Sequence, residues 1–116
     1  MDAVERTITY LRAATGVKVS QDTAHNRKST PQHIEVARVG GPSGLFLDRP
    51  RLTVDCYAQS GAGAYALAES VAAHIRAFPD NDQKVSGAEV NALYRNEWTA
   101  DGSPCYSLTV NLVINV

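Results

Sequence analysis

Near the C-terminal end, apolar and polar residues alternate one for one, with Tyr106, Leu108, Val110, Leu112 and Ile114 set against Ser107, Thr109 and Asn111. Side chains of an extended chain point to opposite faces at each step, so the run predicts a strand with one buried and one wetter face. Such a strand is stable only in a sheet whose apolar side is covered by a second layer. The cover is legible too. Ser60 reads as an N-cap, and Ala64, Ala68, Val71, Ala72 and Ile75 form one stripe, widened by Leu67, on a helix running to about Ala77 and stopped by Pro79. Burying Leu67, Val71 and Ile75 should contribute about 1.5–3 kcal/mol each.

Other segments supply the partners. Val4, Ile8 and Leu11 predict a helix from about Asp2 to Ala14, with Asp2 and Glu5 spaced like a capping box and Gly16 as its stop. Val17 to Ser20 reads as a short strand. In His33 to Val39, Ile34 and Val36 share one face and Glu35 and Ala37 the other; Leu52, Val54, Cys56 and Ala58 alternate against Arg51, Thr53, Asp55 and Tyr57. These two strands should pair as a hairpin. A further strand is expected from Val85 to Trp98, with Val90, Ala92, Tyr94 and Trp98 on one face and Gly87 marking a bulge or irregular start. The order predicts an α+β fold: a mostly antiparallel sheet of four to five strands with two helices packed on one face, in one domain spanning residues 1–116.

A 116-residue chain should bury roughly 65% of the surface of its unfolded form, enough for one modest core. A net charge of -1 argues against a protein whose task is to coat nucleic acid. The charges are nonetheless split: residues 1–51 carry eight Lys/Arg and five Asp/Glu (+3), residues 52–116 three and seven (-4). That asymmetry can complement itself between neighbouring subunits, or be scattered solvated charge. No run of apolar residues has the length of a membrane span, and the first residues lack the regions of a signal peptide, so a protein made and kept in a cytosol is expected. Cys56 and Cys105 both fall on expected strands, which predicts two buried reduced thiols.

No catalytic or metal-binding constellation stands out, and no cofactor is implied. His25, His33 and His74 fall in a loop, at a strand start and on a helix, without ligand spacing. A cysteine with His74 is the one conceivable nucleophile arrangement, and strand cysteines are poorly placed for it. The polar run Gln21 to Gln32, with His25, Arg27 and Lys28, reads as a long exposed loop. Gly40-Gly41-Pro42-Ser43-Gly44 matches neither a P-loop nor a dinucleotide fingerprint and reads as a flexible hairpin arm. It carries the triplet Leu45, Phe46 and Leu47, which either folds back on its own core or docks in a neighbouring subunit. Asp48, Arg49 and Arg51 follow around Pro50; the two arginines can pair with carboxylates across an interface, and Arg27, Lys28 and Arg38 can join them on a surface facing DNA, unless all are solvated surface charge.

The segments VGGPSGLFLDRPRLTVDCYAQS, AYALAESVAAHIRAFP and SPCYSLTVNLVI, together with the opening VERTITYLRAATGVKVS, resemble tail terminator (tail completion) proteins of long-tailed phages, especially those infecting actinobacteria. The resemblance spans most of the chain, and DRPRLTV is its most telling part. It implies a non-enzymatic structural virion protein at the head-tail junction, assembled in the host cytoplasm. Such proteins form a homohexameric ring on the tail tube protein and present a surface to the head connector or stopper protein, with DNA passing through the lumen without sequence-specific binding and no membrane involved. On that expectation Leu45, Phe46, Leu47, Asp48, Arg49 and Arg51 lie at or near the contact between subunits, and Arg27, Lys28 and Arg38 face the lumen. The rival readings are another head-tail junction or minor tail protein and, from a different class, a small cytosolic enzyme or ligand-binding domain using His74 and a cysteine.

Overall fold

The computed structural model describes residues 2–21, 31–97, 99 and 102–116. It is an α+β fold built on one six-stranded sheet. Helix α1 (Ala3–Thr15) is followed by strands β1 (Lys18–Ser20), β2 (Gln32–Gly40), β3 (Leu47–Asp48) and β4 (Arg51–Ala58). Helices α2 (Gly61–Arg76) and α3 (Phe78–Asn81) then lead to β5 (Val85–Arg95) and β6 (Cys105–Asn115). The order across the sheet is β1-β2-β4-β6, with β5 on the far side of β6; only the β1–β2 pair is parallel. Leu47 lies opposite Asn115, Asp48 opposite Ile114 and Arg51 opposite Asn111. The register is thus constant across both segments, and β3 and β4 are one strand interrupted at Arg49-Pro50. Pro50 has no N–H to donate, but its carbonyl accepts from Leu112 N–H at 3.0 Å, which keeps the ladder together across the break.

The expected caps form. The Asp2 carboxylate accepts from Glu5 N–H at 2.8 Å, and Gly16, at φ 69°, closes α1 with its N–H on the Arg12 carbonyl. Ser60 caps α2 by accepting from Gly63 N–H at 3.0 Å. Both helices cover one sheet face, α1 over β1 and β2 and α2 over β4, β6 and β5. Between the layers lie Ile34 and Val36, Leu52, Val54 and Cys56, and Leu108, Val110 and Leu112, all buried against Leu11, Leu67, Val71 and Ile75.

Strand β5 differs from expectation in its end and in its faces, while α2 ends within a residue of its expected end. The strand expected to reach Trp98 ends at Arg95, and Trp98 itself lies outside the described residues. Within that strand Ala92 and Tyr94 do not share a face with Val90. Register shifts between Val85 and Gly87 and between Val90 and Ala92 turn the strand, so the positions packed on the core are Val85, Ala88, Val90 and Leu93. The first shift is the irregularity that Gly87 predicts; the second, at Asn91, inverts the alternation that follows. Finally, α2 ends at Arg76, before Pro79 acts, and Pro79 sits in the first turn of α3, where its missing N–H costs nothing.

Phe78 is fully buried where α3 leaves α2, its ring stacked on Tyr10 of α1 with centroids 4.1 Å apart. Below it, Arg6 Nη1 donates to Asp82 Oδ2 at 2.7 Å and ties α1 to the turn before β5. Partial burial pushes the Asp82 carboxyl up, but hydrogen bonds from Arg6 and from Lys84 N–H, with the charges of both residues, outweigh it and hold the carboxyl below the usual value. A depressed folded-state value gives stability that is present above the unfolded value of about 3.9 and lost as pH falls through the folded one. Asp82→Asn should therefore lower stability at pH 7 by on the order of 1 kcal/mol or less. In urea titrations the gap to the unsubstituted protein should narrow as pH falls below about 3.9 and the Asp82 carboxyl takes up its proton.

Candidate assembly surface at the arm

The chain between β2 and β3 is a compact turn rather than a loose arm. Pro42 carbonyl accepts from Arg49 N–H at 3.0 Å, Gly44 N–H donates to the Leu47 carbonyl at 2.8 Å, and Ser43 bridges to Asp48. Val116 N–H donates to the Phe46 carbonyl at 2.9 Å, so the turn is stitched to the chain that follows β6. Gly41 makes the entry possible: φ is +94°, and a Cβ there would lie 2.1 Å from the Arg49 carbonyl oxygen.

Arg38 clamps the turn. Its Nη1 and Nη2 donate to the two Asp48 carboxylate oxygens, both at 2.9 Å, while Nη2 also donates to the Gly41 carbonyl at 3.0 Å and Nε to the Gly40 carbonyl at 3.2 Å. A guanidinium held by two parallel bonds to one carboxylate is the strongest geometry an ion pair takes, and the bonding to Asp48 raises the Arg38 pKa. Arg38, expected beside Arg27 and Lys28 on a DNA-facing surface, thus spends its charge inside the arm, and so does Asp48. Arg27 and Lys28 lie outside the described residues.

The apolar triplet divides. Leu47 is half-buried in β3, whereas Leu45 and Phe46 are 83% and 76% exposed at the tip. The backbone folds back on its own sheet while two large side chains are left to solvent. Exposed Val116 stands beside them through its bond to Phe46.

Arg49 and Arg51, two residues apart on one sheet face, are exposed and have no carboxylate within ion-pair distance among the described residues. They border a cleft of about 500 Å³ on the side of the sheet away from the helices. Pro42 forms its rim, Val113 and Asn111 its floor, and Gly87 and Glu89 of β5 its far wall. The sequence singles out both arginines but not this cleft, because the far wall is brought in by the pairing of β5 with β6.

A second polar group on the helix-free face has no counterpart in the sequence reading. Buried Ser107 donates to Asp55 Oδ1 at 2.6 Å and accepts from Asn96 Nδ2 at 3.2 Å. One strand over, fully buried His33 has Nε2 3.1 Å from Ser20 Oγ and 3.9 Å from Glu35 Oε1, and Tyr57 OH donates to Glu35 Oε2 at 3.5 Å. Each lies on the polar side of its own strand; only the register, Glu35 opposite Asp55 and Asp55 opposite Ser107, assembles them. The carboxylate that holds Ser107 is Asp55, while His33 is turned toward Ser20 and Glu35.

The cysteines are buried, on opposite faces of the sheet: Cys56 in the core, Cys105 beside Ser107 at 3.8 Å. Burial pushes the Cys56 thiol far above its ordinary value, so it stays protonated and unreactive. Among the described residues no group of three or more His, Cys, Asp or Glu could hold a metal ion, and no helix is long and apolar enough to cross a membrane. No protein-family model matches the chain, and no curated protein matches it in sequence.

Proposed function

We propose that the chain is a structural virion protein, a tail terminator whose homohexameric ring caps the phage tail tube and joins it to the head connector, leaving a lumen for DNA. The observation that carries this reading is the arm: two large apolar side chains presented to solvent on a turn clamped by Arg38 and Asp48. Exposed apolar side chains on a braced support are what a partner surface requires, since their ordering cost is met before contact. Arg49 and Arg51 beside them, which have no carboxylate within ion-pair distance among the described residues, supply polar specificity. In this reading the protein performs no reaction, and Arg27 and Lys28 are candidates for the lumen wall.

Electron microscopy of the protein mixed with tail tubes tests it. Six-fold rings at one tube end are expected; decoration along the tube would assign it to another tail component, and absence of binding would end the reading. A double variant, Leu45→Ser with Phe46→Ser, should abolish ring formation while shifting stability by about 0.5 kcal/mol or less, because neither side chain is in the core. A matching loss of thermal stability would place both residues in the fold instead of the contact.

A further inference from the structure

We infer that the cleft bordered by Arg49 and Arg51 is the seat for the Leu45-Phe46 tip of a second copy of this chain, so that subunits join head to tail. The inference rests on the self-assembly reading above and names the surface that receives the arm.

The tip borders the near rim of its own cleft, where Phe46 shares a shallow pocket with Pro42 and Arg49, but its backbone is not level with the floor. Phe46 is bonded at the level of Val116, while the cleft floor is Asn111 and Val113, three to five residues back along the same register and so roughly 10–17 Å away. The Arg38–Asp48 clamp prevents the turn from folding over that distance. Tip and cleft floor are therefore separate surfaces of one body that meet at Pro42 and Arg49. If they complement each other, the contact is heterologous, and repeated contacts close into a ring or continue as a filament.

They do complement each other. Phe46 offers an aromatic face with no ring partner in its own chain among the described residues. The cleft offers two guanidiniums without carboxylate partners among the described residues, beside apolar Pro42 and Val113. A guanidinium stacked on a desolvated aromatic face contributes about 0.5–2 kcal/mol, and Arg is the side chain best suited to it. Seating one Phe and one Leu covers only about 300 Å² of the tip and a similar area of cleft, well under the roughly 1,200 Å² of a stable interface. A single contact should thus be weak and short-lived, and closure of a ring would hold it.

Disulfide trapping captures such weak contacts. Phe46→Cys and Val113→Cys proteins are mixed and oxidised with diamide, with Glu69→Cys, on the opposite layer, replacing the second partner as reference. The native thiols are buried and should not react. A mixed 46–113 dimer forming about tenfold faster than the 46–69 product is the expected result. Adding Arg49→Ala and Arg51→Ala to the Val113→Cys partner should slow it about tenfold, with thermal unfolding unchanged. Equal rates for the two mixtures, or no mixed product at any concentration, would overturn the inference; a rate indifferent to both arginines would overturn the role given to them. Rings on tube ends without the 46–113 product would remove the seat and leave the tail terminator reading standing. The product without rings would do the reverse.

Discussion

Phe78→Ala should lower stability by about 3–5 kcal/mol, which for a chain of this size is a fall in melting temperature of roughly 10–25 °C. The ring is fully buried, and among the described residues it is the largest side chain so placed. It lies where three elements converge: α3, which carries it, the end of α2, and Tyr10 of α1, parallel to it within 4°. Removal leaves a cavity that cannot collapse easily, because Tyr10 is pinned at its far end by the hydrogen bond from its hydroxyl to the His74 carbonyl at 2.5 Å. Phe78→Leu should recover more than half of the loss, since most of the volume returns and only the stacking is missing. Tyr10 gives an independent readout. Its pKa is raised, chiefly by burial, with a hydrogen bond involving Asn81 acting against the shift and the charge of Asp80 adding to it. In Phe78→Ala the hydroxyl should titrate closer to the ordinary tyrosine value in an ultraviolet pH titration. A loss below about 1 kcal/mol would mean that α3 is not part of the cooperative core.

The elements were legible in proportion to how local their causes are. Alternation in β6 and the stripe on α2 are each written in consecutive residues, and both elements stand where the periodicity puts them. The face of β5 was misread because a bulge at Asn91 is decided by pairing with β6 and leaves no mark in a sequence of ordinary β-formers. Gly87, by contrast, does announce its irregularity. The arm was half legible: glycines and proline signal a turn, but that Arg38 would lie within reach of Asp48 depends on strands that bring positions ten residues apart side by side. The same limit hid the cleft and the Asp55–Ser107 pair. Charged residues in a sequence show that a partner is needed; the register shows whether the partner is in the same chain. Arg38 is paired within the chain, whereas Arg49 and Arg51 have no such partner among the described residues, and that difference separates a brace from a candidate contact.

Gly41→Ala should lower stability by about 2–5 kcal/mol although the position is exposed. Two effects add. A residue with a Cβ is strained at φ +94°, and the Cβ would sit 2.1 Å from the Arg49 carbonyl oxygen and 2.8 Å from Arg51 N, both backbone atoms that cannot swing aside. Gly16→Ala separates the two effects. Gly16 also has a positive φ, 69°, but nothing lies within 4 Å of the added carbon, so only the backbone strain of about 1 kcal/mol should appear. The excess in Gly41→Ala measures the close approach itself. Because that approach holds Arg49 against Pro42, the variant should also speed amide exchange at Arg49 and Gly44 and abolish ring formation, while exchange in Val54 and Leu108 follows global stability alone. Equal losses in the two variants would show that the turn yields without strain. The arm would then not be preformed, and its contacts would have to bear the ordering cost at assembly.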